Sequence, residues 1–168
     1  MSASVTFKGD PVALTGPELK VGDAAPDFAL QAVDLSEVTL ATDAGSARIV
    51  AVVPSLDTSV CSKETITFNE AAKGDPSLNI YCVSADLPFA MKRWCAAEGV
   101  ENVKALSDHR TAGFGEAYGV KIAGGPLDRV FCRAVFVIGP DGTLKHVEYC
   151  PEIAEEPNYD AAILATKG

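Results

Sequence analysis

The residues best equipped for covalent chemistry are five cysteines, at positions 61, 82, 95, 132 and 150. Cysteine reacts as the thiolate, so what matters first is which of them lies where an anion is favoured. Cys61 closes the stretch Pro54-Ser-Leu-Asp-Thr58-Ser-Val-Cys61. An apolar run from Arg48 to Pro54 precedes it, and helix-forming residues from Val60 to Lys73 follow. This strand-to-helix junction is where open α/β sheets bind their ligands. Thr58 or Ser59 can cap the helix, and with Thr58 as N-cap Cys61 occupies N3, in the first turn. Unpaired backbone N–H groups and the positive end of the helix dipole favour an anion there. Cysteines in such places have pKa values lowered from roughly 8.5 into a range of about 3.5 to 7.5. Cys61 is therefore a candidate nucleophile. A buried structural cysteine at a helix start would show the same spacing, and the residues alone leave both readings open.

Arg133 is the second candidate. It opens the apolar strand Arg133-Ala-Val-Phe-Val-Ile138, and alternation puts its side chain on the face of Val135 and Val137. A guanidinium on an apolar face needs an anion or another polar partner. A thiolate would provide one; escape to solvent at the strand end is the alternative. Cys132 falls on the opposite face. Cys95 shares a helix face with Met91 and, taken alone, reads as a small core residue. No C-x-x-C pair occurs, and neither His109 nor His146 is spaced with a cysteine as a ligand pair. Neither a thioredoxin-type dithiol nor a metal site is expected.

The elements that must position these residues alternate between strand and helix. Val5–Phe7 and Val12–Leu14 flank the turn-rich Lys8-Gly-Asp-Pro11 as a hairpin. Asp27–Leu30 and Val38–Leu40 are short strand candidates. The continuous apolar run 48–54 suits a central strand covered on both faces. Leu78–Ser84 and Arg133–Ile138 are further strands, the latter running through the turn Gly139-Pro-Asp-Gly142 into an antiparallel partner over 143–149. Helices are predicted over 60–73, ending at Gly74 as C′; over 87–98, with Asp86 as N-cap and Gly99 as stop; over 111–118; and over 159–167. The expected fold class is α/β: a mixed central sheet flanked by helices, in a thioredoxin-like layout. One domain over residues 1–168 is expected, with residues 1–15 as an N-terminal hairpin extension.

Composition narrows the class. With 48% hydrophobic and 22% charged residues the chain is an ordinary globular protein, and 168 residues can bury a core without staples. The formal net charge of −9 and scattered Lys and Arg speak against a nucleic-acid partner. No apolar run approaches a bilayer-spanning length. An odd number of cysteines does not suggest a disulfide scaffold, so a reducing compartment is expected. The chain starts without a basic segment and apolar core, so the expected location is cytoplasmic, with the periplasm left open.

The motif Pro54-x-x-x-Thr58-x-x-Cys61 resembles the active-site motif of peroxiredoxins. Ser84-Ala-Asp-Leu-Pro-Phe-Ala90 with Arg93-Trp-Cys95-Ala-Ala-Glu-Gly99 is similar to the bacterial thiol peroxidases, the atypical two-cysteine group. So are Val5-Thr-Phe-Lys-Gly-Asp-Pro-Val12, Asp34-Leu-Ser-Glu-Val-Thr-Leu40, Tyr118-Gly-Val120 with Gly125-Pro-Leu127, and Glu156-Pro-Asn-Tyr-Asp-Ala-Ala162. The resemblance spans nearly the whole chain. It implies a thioredoxin-like fold and reduction of hydrogen peroxide and organic hydroperoxides, with a preference for organic ones. It makes Cys61 the peroxidatic cysteine and Cys95 the resolving cysteine of the same chain. Thr58 would hydrogen-bond the thiolate and the peroxide, Arg133 would stabilise the thiolate and polarise the peroxide, and Pro54 would shield the pocket. Thioredoxin would reduce the Cys61–Cys95 disulfide, the assembly would be a homodimer, and no metal or organic cofactor is implied. Cys132 and Cys150 are not regular features of the family. Cys150, before Pro151 at a strand end, is expected to be exposed, and Cys82 to be a core strand residue. A one-cysteine peroxidase with structural Cys95, and a non-catalytic redox sensor on the same fold, are the competing readings.

Overall fold

The computed structural model describes residues 1–168. The chain opens with β1 (Val5–Phe7) and β2 (Asp10–Val12), then β3 (Leu14–Thr15), β4 (Ala29–Ala32), β5 (Glu37–Thr39) and β6 (Arg48–Val52). Next come α1 (Ser59–Gly74), β7 (Asn79–Ser84), α2 (Pro88–Glu98), β8 (Lys104–Ser107) and α3 (Gly113–Ala117). The chain finishes with β9 (Lys121–Ile122), β10 (Ala134–Ile138), β11 (Leu144–Tyr149) and α4 (Tyr159–Ala165).

Seven strands form the main sheet in the order β11-β10-β6-β7-β8-β4-β5. β6, β7 and β8 run parallel, and the remaining pairings are antiparallel. β6 is interior and every one of its residues is buried, which is why its sequence is apolar without alternation. Alternation along the strands divides the core. Val50, Val52, Tyr81, Val83, Ala134 and Phe136 face one cluster, which includes Phe114 and Tyr118, stacked at 4.2 Å between centroids. Ile49, Ala51, Ile80, Cys82, Val135 and Val137 face the other, where Cys61, Phe68 and Ala72 of α1, Met91 of α2 and Ala162 of α4 cover the sheet. The reactive-residue candidates belong to this second face.

Several expectations need correction. The hairpin pairs Phe7 with Asp10, so its turn is only Lys8-Gly9, both at positive φ (53° and 85°), and the second strand starts at Asp10. This is the two-residue turn whose twist matches antiparallel strands. The strand expected over 27–30 starts at Ala29 instead, pairing with β5 and β8. β8 is an unexpected strand, since Lys-Ala-Leu-Ser is too short to show a period. Gly74 is not a left-handed C′ residue: it is the last residue of α1, and Asp75 caps in extended conformation. Asp86 does not cap α2, whose N-cap is Leu87 without a side-chain bond; Pro88 at N1 and left-handed Gly99 at its end are as expected. α3 is shorter than expected and starts after Ala112, itself left-handed at φ 56°. α4 stops at Ala165. Cys150 is 2% exposed rather than on the surface, because β11 is covered there by the chain leading into α4.

Candidate active site

Cys61 is placed by the cap of α1. Thr58 is extended (φ −110°, ψ 154°), and its Oγ1 accepts from the Cys61 N–H at 3.3 Å, while its carbonyl accepts from the Ser62 N–H at 2.8 Å. Cys61 is therefore N3 with its side chain fully buried. Cys82 sits on β7 beneath the helix, where Thr65 Oγ1 lies 3.5 Å from its Sγ and donates to the Cys61 carbonyl at 2.9 Å.

Arg133 reaches this helix from the neighbouring strand. β10 pairs with β6 through Ala134 and Val52, so Arg133 lies one position beyond that pair, beside the point where β6 gives way to the Cys61 loop. Antiparallel register thus joins residues 72 apart in the chain. The side chain is 2% exposed, and three of its nitrogens are held. Nε donates to the Ile153 carbonyl at 2.8 Å, Nη1 to Glu64 Oε2 at 2.5 Å, and Nη2 to Cys61 Sγ at 3.3 Å. A planar fork fixed at two corners aims its third donor at sulfur.

Glu64 was missed in the sequence. It is fully buried, and its Oε1 has no hydrogen-bond partner. The signal was available: Cys61, Thr65, Phe68 and Ala72 form the buried stripe of α1, and Glu64 lies on it. Burial pushes its carboxyl up to about 7 against the pull of Arg133. Burial also works against the Arg133 charge, but Glu64 and Cys61 outweigh it, and Arg133 is raised above its ordinary value.

A pocket of about 210 Å³ opens over this centre, lined by Pro54, Thr58, Ser59, Val60 and Arg133 together with Phe7, Leu127 and Ile153. Phe7 and Leu127 also line a neighbouring hollow of about 270 Å³ with Pro11, Val12 and Ile122. A polar reacting end is thus backed by apolar walls. Glu152 fixes one wall: its carboxylate accepts from the Lys8 and Gly9 N–H groups and from Thr6 Oγ1, which pins the hairpin that carries Phe7.

All five cysteines are free thiols. Cys95 is partly buried on α2 and packs against the same core cluster as Cys61. Burial pushes its thiol up, and does the same to Cys82 and Cys150; Cys132 is pushed up to about 12. Only Cys61 has a guanidinium bonded to its sulfur. Of the expected site residues, Pro54, Thr58 and Arg133 line one pocket, Cys61 lies buried behind it bonded to Arg133, and Cys95 is on the next helix of the same sheet face. No group of three or more His, Cys, Asp or Glu side chains is placed to hold a metal ion. No helix is long and apolar enough to cross a membrane.

Comparison with known proteins agrees with this geometry. Residues 20–163 match the Redoxin family. A thiol peroxidase of Halalkalibacterium halodurans is 50% identical over 165 residues, covering 98% of each chain. The thiol peroxidase of Bacillus subtilis is 47% identical over 165 residues, covering 98% of this chain and 97% of its own. Among solved structures, a peroxiredoxin-like protein from Aquifex aeolicus superposes with a TM-score of 0.92 at 44% identity, over 98% of this chain and 95% of that one. A thiol peroxidase from Chromobacterium violaceum, at 19% identity, has the same thioredoxin-like fold with a TM-score of 0.89. The chain belongs to the Redoxin family, in its thiol peroxidase branch.

Proposed function

We propose that this chain reduces hydroperoxides through Cys61 and Cys95 and is recycled by thioredoxin. The observation that carries the reading is the 3.3 Å bond from Arg133 Nη2 to Cys61 Sγ at the foot of the pocket. The Cys61 thiolate attacks one peroxide oxygen. The S–O bond forms as the O–O bond breaks, the leaving oxygen takes a proton and departs as water or an alcohol, and Cys61 becomes a sulfenic acid. Arg133 and the backbone N–H groups of the first turn supply donors to the departing oxygen, and Thr58 Oγ1 supplies another. The Cys95 thiolate then displaces hydroxide, which leaves as water, and a Cys61–Cys95 disulfide remains. A dithiol of the thioredoxin type exchanges with it and returns both thiols.

Pro54 and the apolar walls at Phe7, Leu127 and Ile153 exclude water and favour an organic substituent on the peroxide. A second copy of the chain is the expected partner, and exposed Leu87 and Phe89 at the start of α2 are apolar side chains it would cover. Five free thiols fit a reducing compartment such as the cytoplasm, in an antioxidant role. In a thioredoxin-coupled assay, Cys61→Ser abolishes turnover, whereas Cys95→Ser consumes one equivalent of peroxide and stops. Sustained turnover by Cys61→Ser would overturn this function.

A further inference from the structure

Asp86 lies between β7 and α2, ahead of Cys95, and its carboxylate crosses to the loop ahead of Cys61. Oδ1 accepts from Ser55 Oγ at 2.8 Å, and Oδ2 accepts from the Leu56 N–H and from Ser84 Oγ, each at 2.8 Å. Its backbone is held as well, through its N–H to Ser84 Oγ at 3.2 Å and its carbonyl to Ser107 Oγ. Ser55 Oγ also accepts from the Asp57 N–H at 3.3 Å. Hydrogen bonds to an ionised acceptor are roughly twice as strong as neutral ones, so this is a firm tie between two loops.

Exposure rises past this tie. Leu56 is 2% exposed, but Asp57, Thr58 and Ser59 are all exposed. The side-chain cap of α1 is the 3.3 Å contact of Thr58 Oγ1 with the Cys61 N–H. A hollow of about 340 Å³ adjoins the step, lined by Leu56, Asp57 and Asp86 and by Ala90, Met91 and Trp94 of α2.

We propose that Asp86 is a positioning residue that anchors Ser55 and Leu56 to the entry of α2, so that the Cys61 turn pivots at Asp57 when the disulfide closes. The proposal rests on the Cys61–Cys95 pairing. A disulfide needs its Cα atoms within about 7 Å, and Cys61 lies inside a helical turn on a different helix from Cys95. As the disulfide closes, the Cys61 turn unwinds toward α2. An anchor on its upstream side keeps the released segment short, which reduces the conformations to be searched before the sulfurs meet. The hollow beside α2 provides room for that segment.

Asp86 touches neither Arg133 nor Thr58, so the anchor governs closure and leaves the attack on peroxide alone. In single-turnover experiments, sulfenate formation is followed by trapping and disulfide formation by fluorescence of Trp94, the only tryptophan and the neighbour of Cys95. Asp86→Ala is expected to slow disulfide formation about tenfold, the scale of losing bonds to a charged acceptor, while sulfenate formation stays within about threefold. More Cys61 then reaches sulfinic acid in excess peroxide, since closure and over-oxidation compete for the same sulfenate. Asp86→Asn recovers most of the rate, because its amide oxygen can accept from Leu56 and its NH₂ can donate to Ser55. Ser55→Ala removes one bond to the Asp86 carboxylate and no charge, and slows closure about threefold even if Asp86→Ala folds poorly. Unchanged closure in Asp86→Ala or Ser55→Ala, or an equal loss in both steps, would overturn the anchor alone. Absence of a Cys61–Cys95 disulfide in the unaltered protein would overturn the functional reading and the anchor with it.

Discussion

At the scale of single residues, the centre is a chain of three groups: Cys61 Sγ, the Arg133 guanidinium and the Glu64 carboxylate. Glu64 holds the guanidinium in place and, when ionised, offsets its charge. The carboxyl is raised to about 7 by burial, above its ordinary value of 4.5. The native state thus holds a proton there that the unfolded chain releases near 4.5, so this group's contribution is greatest below about 4.5 and is lost as pH rises through about 7. Glu64→Gln, a neutral isostere of the protonated carboxyl, is expected to change stability at pH 5 by no more than about 1 kcal/mol and to flatten the pH dependence between about 4.5 and 7. Urea denaturation at pH 5, 6, 7 and 8 tests both; an unchanged slope with pH would contradict the assignment. Cys61 and Arg133 were legible in the sequence because a capped helix start and a cation on an apolar strand are local patterns. Glu64 was passed over because a carboxylate on a helix ordinarily faces water. Asp86 has the local pattern of a cap, which hides that its carboxylate is satisfied by Ser55 and Leu56, distant in sequence.

At the scale of elements, α1 has an uneven grip on the molecule. Its middle is held by Phe68, fully packed and edge-on to Tyr159 of α4 at 5.0 Å between centroids. Its first turn depends on the Thr58 cap, the Arg133 contact and an exposed Lys63–Glu156 pair at 2.9 Å. Exposed pairs contribute about 0–1 kcal/mol. The first turn is therefore the part able to unwind while the rest of the helix stays docked. Hydrogen exchange is expected to show residues 58–66 losing protection on oxidation to the disulfide, with 68–74 unchanged. Equal protection of 58–66 in the two redox states would contradict local unwinding. The helices and β6 were readable because long periodic or continuous apolar runs carry their own signal. Exact ends were less so: Gly74 continues α1 instead of ending it, and Ala112 is left-handed although an alanine disfavours that conformation.

At the scale of the whole molecule, the sheet order does the assembling. Placing β10 beside β6 brings Arg133 to the Cys61 loop, and placing β7 on the other side of β6 puts α2 and Cys95 on the same face as α1. Strand count and the alternating pattern implied a mixed sheet, yet the strand order follows only from long-range pairing. Burial of Cys150 is likewise a property of the assembled fold, since a cysteine beside Pro151 looks like a strand end in sequence. The same assembly carries the two free thiols on different helices. The most direct test of the account is peptide mapping by mass spectrometry after one equivalent of hydroperoxide under non-reducing conditions. One new species is expected, two hydrogens lighter than the reduced protein, with the Cys61 and Cys95 peptides joined and Cys82, Cys132 and Cys150 still free. A stable sulfenic or sulfinic acid at Cys61 with Cys95 free, or a disulfide from Cys61 to any other cysteine, would contradict it.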